Sequence, residues 1–363
     1  MPERYPKLCI DLAALGHNVR YAVGRCAEMG IDVAGVIKGT SGLIECERVF
    51  ERGGAAQIAS SRIEHLKAIR EAGTDKPLMM IRIPMISETR DVVRYADISL
   101  VSEVDTMRAL DEAAKAEGKK FGIIIMVEAG DLREGFWDRD ELTEAALMAE
   151  KELDGLEFLG IGTNVGCYGS ILPTAAKLNE LVEAAEDVEA KLGRRLRYIS
   201  GGATSSFMRV LDADMPERIN HLRMGEGILL ARDLDVFYGY DMSMMRQDVY
   251  RLFAEIIEVR DKPTHPIGEV GVDAFGHKPV YTDRGIRRRA LAAIGKVDIG
   301  NQDDIFPIDA GVVILGGSSD HTILDIEDAV RDIRVGDVLE FAVDYASLVY
   351  LTSSSNVHIV YKH

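Results

Sequence analysis

The chain lacks several features that would each have pointed to a function class. No apolar run in its 363 residues approaches the length of a membrane span. The opening Met1-Pro2-Glu3-Arg4-Tyr5-Pro6 has no apolar signal region, so the mature protein is expected to start here and to stay in the cytoplasm. Cys9, Cys26, Cys46 and Cys167 include no CxxC pair, which argues against a zinc knuckle or redox motif and for free, mostly buried thiols. The eight histidines form neither HExxH nor HxH, so no metal site is recognisable. Basic residues are in deficit, 43 Lys and Arg against 60 Asp and Glu. The resulting net charge of -17 argues against nucleic acid or an anionic membrane as partner and favours, weakly, a cationic small-molecule substrate. Low-complexity tracts and a second internal repeat are also missing.

The chain is long enough for two domains, or for one large barrel with an extension. Lys7 to Leu12 reads as a strand and Leu15 to Met29 as a helix. Asp32 to Lys38 then begins a repeated pattern of short apolar runs: Ala56–Ala59, Leu78–Ile81, Ile98–Val101, Gly122–Val127, Leu156–Ile161, Tyr198–Gly201 and His221–Met224. Helical patterns such as 102–117, 139–153 and 173–192 separate them. Eight strands alternating with helices over about 200 residues predict parallel pairing, right-handed crossovers and a (β/α)₈ TIM-type barrel. An open doubly wound sheet is the alternative. Gly160 to Gly166 looks like a dinucleotide fingerprint, but its glycine spacing is wrong and it comes after five strands. Beyond about Leu234 the period changes. Runs at Tyr250–Val259, Arg289–Ile294, Gly311–Leu315, Val338–Phe341 and Val357–Tyr361 predict a second, mainly antiparallel β domain. The expected division is a barrel over 8–235 and a β domain over 236–363 joined by residues 1–7.

In a (β/α)₈ barrel, chemistry gathers at the C-terminal strand ends. The first strand ends on Lys38, followed by the small residues Gly39-Thr40-Ser41-Gly42. A lysine there either runs out to solvent or projects its amine into a pocket, where desolvation favours the neutral, nucleophilic form. The second alternative suggests a Schiff base with pyridoxal phosphate (PLP). Ser200 to Ser206 and Arg223 to Gly227, on neighbouring strand ends, combine glycines and hydroxyls suited to a phosphate. Arg223 ends a strand that should be buried and needs an acceptor, either a pyridine nitrogen or a structural carboxylate. Arg133 is either a loop charge paired with Asp131 or Glu134, or a holder of a carboxylate or phenolic oxygen.

These segments together resemble the alanine racemase family of fold-type III PLP enzymes, and the resemblance covers nearly the whole chain. Cys9-Ile10-Asp11-Leu12 through His17-Asn18 is similar to the family's opening strand and helix, and Val36-Ile37-Lys38 to its PLP lysine motif. Gly130 to Gly135, Thr204 and Arg223-Met224-Gly225-Glu226 fall on its other cofactor-binding stretches. The resemblance implies that Lys38 carries the cofactor and that Arg133 lies near its phenolic oxygen and the substrate carboxylate. Thr204, Ser205, Gly225 and Glu226 would surround its phosphate, and Arg223 would meet the pyridine nitrogen. Asn164 stands where a histidine is usual. Gly42 and about Ser355 stand where phosphate-binding tyrosines are usual, and Lys296 falls on the family's second base, a tyrosine. Gly317 to Asp320 matches a loop reaching the partner subunit's site, so Ser319 and Asp320 are expected to meet substrate in a homodimer. The implied reaction is two-base Cα proton transfer by Lys38 and Lys296, with His277, His321 and Asp320 in reserve. The stretches GDLREG, SGGATSS, RMGEGILL and GGSSDH most resemble the ornithine racemases of the family. Lysine, alanine and serine remain alternative substrates, and a non-catalytic PLP-binding protein is the alternative of another class.

Overall fold

The computed structural model describes residues 3–363 apart from 273, 274, 277 and 279; His277 therefore lies outside the described residues. Sixteen strands run through them in chain order. They are β1 (Lys7–Asp11), β2 (Asp32–Val36), β3 (Gln57–Ser60), β4 (Leu78–Met80), β5 (Ile98–Val101), β6 (Phe121–Met126), β7 (Leu156–Gly162) and β8 (Tyr198–Ser200). The rest are β9 (His221–Met224), β10 (Tyr250–Pro263), β11 (Ile286–Ala292), β12 (Ile305–Pro307), β13 (Val313–Gly317), β14 (Thr322–Asp325), β15 (Val338–Val343) and β16 (His358–Lys362). The chain forms two compact units: Ala13–Arg246, and Gln247–His363 together with the residues up to Leu12.

In the first unit β2 to β9 close into a parallel barrel. Closure is made by β2 against β9, with Asp32 opposite His221 and Gly35 opposite Met224. These strands are buried on both faces, so they read as unbroken apolar runs rather than alternating ones. Residues two apart on a strand point the same way, and Ala34 with Val36, Ile98 with Leu100, and Ile124 with Met126 fill the barrel interior beside Met79, Leu159 and Tyr198. Helices cover the outside. Asp138 caps one of them by accepting from the amides of Asp140 and Glu141, and Thr174 caps another through Lys177.

The second unit is a sheet in the order β12-β15-β10-β11-β14-β13, with β1 paired to β10 and β16 paired to β1. Its pairings are antiparallel except β1 with β16. The fourteen-residue β10 serves both halves, pairing with β15 and β1 near its start and with β11 near its end.

Two details differ from the sequence-based division. Residues 8–12, expected in the barrel domain, lie in the β unit, because β1 pairs with Arg251 and its neighbours and with His358 to Lys362. The seam falls after Arg246 rather than after residue 235. Asn18 ties Arg246 to the barrel unit from both sides, its Oδ1 accepting from the Arg246 amide at 2.7 Å and its Nδ2 donating to the Arg246 carbonyl at 2.8 Å. Strands β12 and β14 and the helix Tyr345–Ser353 were not expected from the sequence.

Candidate active site

The chain turns sharply after β2. Lys38–Thr40 forms a single 3₁₀ turn, Thr40 Oγ1 donates to the Ile37 carbonyl at 3.0 Å, and Ser41 and Gly42 follow with positive φ. Lys38 is thereby left at the strand end, half-buried, with its amine aimed among charged groups. Burial pushes the amine below its usual range, and the cations Arg133 and Arg223 add to that, while Cys167 and Glu134 oppose it. A lowered pKa enlarges the fraction of neutral amine near pH 7, which is the form that attacks a carbonyl.

The loop after β6 is ordered by two carboxylates. Glu128 accepts from the amides of Gly130, Leu132 and Arg133 at 2.5, 3.0 and 2.9 Å. Asp131, fully buried, accepts from the amides of Gly166, Cys167, Tyr168 and Ile171 at 3.0 to 3.3 Å, so it clamps this loop to the one after β7. Asp131 is therefore no partner of Arg133. That guanidinium forms a two-point pair with Glu134 and donates through Nη1 to Cys167 Sγ at 3.0 Å.

Arg223, on β9, is buried, and burial draws its pKa down to about 10, so it stays charged at neutral pH. Its hydrogen-bond acceptors are a carbonyl and a hydroxyl: Nη2 donates to Thr163 O at 2.8 Å and Nη1 to Ser200 Oγ. From Ser200 a polar chain crosses the barrel interior. Ser200 Oγ meets His221 Nδ1 at 2.7 Å, His221 Nε2 meets Gln57 Oε1 at 2.8 Å, and Gln57 Nε2 donates to Tyr198 OH at 2.9 Å. Because Gln57 Oε1 only accepts, we assign the proton of neutral His221 to Nε2, and Ser200 then donates to Nδ1 while accepting from Arg223. Burial holds the His221 pKa at about 3, with the Arg223 charge acting the same way.

The loops after β8 and β9, expected to hold a phosphate, approach each other closely. The Gly227 amide donates to Thr204 Oγ1 at 3.0 Å, and a Cβ at Gly227 would stand 2.8 Å from the Thr204 methyl. That glycine lets the two loops approach and leaves the Thr204 hydroxyl proton able to donate outward. Ser205 and Glu226 are spent on structure. Ser205 Oγ donates to Val165 O at 2.8 Å, and Glu226 Oε1 accepts from the amides of Arg232 and Asp233, each at 3.1 Å. Asn164 is half-buried on the loop after β7. Gly42, in the place of a tyrosine, has φ +74, and a Cβ there would lie 2.7 Å from the Cβ of His65. His65 thus occupies the space that a side chain at 42 would enter.

The remaining candidates lie in the β unit. The Lys296 ammonium stands 3.8 Å from the ring centre of Phe275, and the amides of Lys296 and Val297 donate to the Ser318 and Ser319 carbonyls at 3.0 and 3.1 Å. Lys296 and the exposed Ser319 and Asp320 are thus brought side by side. His321 Nδ1 lies 3.4 Å from Ser318 Oγ. Asp298 is buried and accepts from Ser354 Oγ and Asn356 Nδ2, which commits it to the segment preceding β16. Ser355 is exposed.

A lysine leaning toward neutrality at the first strand end of a closed barrel, with buried Arg223 on the last strand, is accompanied by a match of residues 10–233 to the family model described as "Alanine racemase, N-terminal domain". The chain belongs to the alanine racemase family. Among curated members, this alanine racemase family chain is 40% identical to the ornithine racemase of Acetoanaerobium sticklandii, over 95% of its own length and 96% of the relative's. It is 37% identical to the lysine racemase of Thermotoga maritima, over 99% of both. Among solved structures, the alanine racemase of D-cycloserine-producing Streptomyces lavendulae superposes with TM-score 0.75 at 19% identity, covering 100% of this chain and 98% of that one. The Bartonella henselae alanine racemase with covalently bound pyridoxal phosphate also gives 0.75, at 17% identity and 99% and 100% coverage. At those identities the structures speak for the fold.

Sequence reasoning missed the Asp131 clamp, the chain from Ser200 to Tyr198, and the contact of Cys167 with Arg133. The GDLREG stretch carried the only signal for any of them, since it places a second acid directly beside Arg133.

Proposed function

We propose that the protein is a PLP-dependent amino-acid racemase that interconverts L- and D-ornithine. The observation that carries this reading is the Lys38 amine at the end of the first barrel strand, drawn toward its neutral form by burial and by the charges of Arg133 and Arg223. The near full-length likeness to an ornithine racemase supports the substrate. The residues present fit the cofactor. Lys38 supplies the amine, the Thr204 hydroxyl, which accepts from the Gly227 amide and so can turn its proton outward, supplies a donor for a phosphate together with the Gly225 amide, and Arg223 supplies a cation that cannot give up its proton to a pyridine nitrogen. Ser205 and Glu226 shape that phosphate site by fixing the loops around it, Asn164 lines its other side, and Arg133 receives the phenolic oxygen and the substrate carboxylate. Bound there, PLP would delocalise the charge left when the substrate Cα–H ionises.

Lys38 Nζ then takes or returns the Cα proton on one face. Lys296 Nζ of a second copy does the reverse on the other, with Ser319 and Asp320 of that copy beside the substrate. We therefore infer a homodimer. The exposed apolar residues Leu132, Trp137, Tyr168 and Leu172 on the loops around Arg133 support it. The free state of all four cysteines supports a reducing, cytoplasmic location. Lysine in place of ornithine is the second reading, favoured by the Thermotoga relative.

The test is proton exchange. Protein loaded with PLP is incubated with L-ornithine in D₂O and the products are resolved on a chiral column, with L-lysine, L-alanine and L-serine in parallel. D-ornithine deuterated at Cα is the expected product. A cofactor absorbance band without exchange on any amino acid would instead make the protein a PLP carrier.

A further inference from the structure

A diamino acid carries an α-carboxylate and a distal ammonium, and the racemase reading above leaves open what receives the second. The barrel rim has several carboxylates, and hydrogen bonds sort them. Glu128 and Asp131 are held by three and four backbone amides. Glu226 holds the amides of Arg232 and Asp233, and Glu88 holds Arg82 and the Met85 amide. None of these could turn to a ligand without loosening a loop. Glu134 differs, because among the described residues its hydrogen-bond partner is a single side chain, Arg133, in a two-point pair. Among the described groups that act on the Lys38 amine, Glu134 is also the one carboxylate, beside the cations Arg133 and Arg223.

We propose that Glu134 is the receptor for the distal ammonium of a diamino-acid substrate, and so sets the substrate class. The physical reason is an exchange of ion pairs. Arg133 is the loop guanidinium available to a substrate carboxylate, and each contact it makes there weakens its hold on Glu134. The Glu134 side chain is only 16% exposed, and a carboxylate so placed is costly to leave without a counter-charge. A monoamino acid supplies one charge of the exchange and leaves Glu134 short. A diamino acid supplies both: its carboxylate faces Arg133 and its ammonium faces Glu134. The support is rigid, since the Glu128 bonds and the Asp131 clamp fix the backbone immediately before Glu134.

The experiment compares kcat/KM of the PLP-loaded enzyme for L-ornithine, L-lysine and L-norleucine, the last having a methyl group where ornithine has its ammonium. In Glu134→Gln the preference for ornithine over norleucine should fall about 30- to 100-fold, the cost of a charged hydrogen bond. Most of the fall should lie in KM, with the cofactor absorbance band retained. In Glu134→Asp, whose carboxylate is set back by one methylene, the preference should move from ornithine toward the longer lysine. An unchanged ornithine-to-norleucine ratio, an equal loss on all three substrates, or transfer of the effect to Asp320→Asn would overturn the inference. Wild-type enzyme that turns over norleucine or alanine but neither diamino acid would overturn the substrate reading on which it rests, and is seen before any variant is made.

Discussion

The two lysines of the proposed reaction are built by opposite means. Lys38 sits at a strand end among cations, where burial and like charge disfavour its ammonium. Lys296 begins a four-residue helix at the surface of a sheet, with its ammonium over the face of Phe275, a contact that attracts the charge. The first amine is prepared by what surrounds a barrel mouth. The second depends on one ring and on the backbone that ties it to Ser318 and Ser319. Nucleophile chemistry needs the former setting. A proton donor and acceptor brought in from a second copy can use the latter.

The comparison can be broken most forcefully at Lys38. Lys38→Ala should lower racemisation by at least about 10³-fold and abolish covalent retention of the cofactor under reduction with borohydride. Next comes Lys296→Ala, which should cost roughly 10²- to 10³-fold in racemisation while keeping the cofactor attached. It should still wash deuterium into the enantiomer that it binds. Mixing the two inactive variants should restore part of the activity if sites are completed between copies. Full turnover by Lys296→Ala in both directions would remove that residue from the mechanism.

A smaller effect separates the barrel interior from its mouth. His221 is held neutral, with a pKa of about 3 against 6.5 when unfolded. Between those values the unfolded chain binds a proton that the folded chain does not, so stability is lost as pH falls below 6.5 and is unaffected above it. From pH 6.5 to 5 the loss is about 2 kcal/mol. A Tm measured across that range should fall in the wild type and fall less in His221→Gln.

The barrel was largely legible because each of its strands is a short apolar run buried on both faces, and strand ends then mark where Lys38, Arg133 and Arg223 gather. The polar chain through the barrel was not, because it joins Gln57 to His221 across the closure of the sheet, a contact no local pattern records. The helix Tyr345–Ser353 was hidden by its own composition, since Tyr, Val and Thr favour strands and only tertiary packing around Leu348 and Leu351 decides otherwise. Strand β1 was seen as a strand, but the division was drawn through it after Lys7, as nothing around Leu8 in the sequence announces Leu252 and Ile359 as its neighbours.

That last pairing bears on how the chain is born. A ribosome delivers β1 first, yet its partners β10 and β16 emerge only after the whole barrel has been made. The barrel, one continuous stretch, can close as it leaves the tunnel, whereas the sheet must keep β1 waiting until β10 and β16 have followed the barrel out. Leu8 and Ile10, fully buried in the folded protein, pass that interval without the strands that cover them.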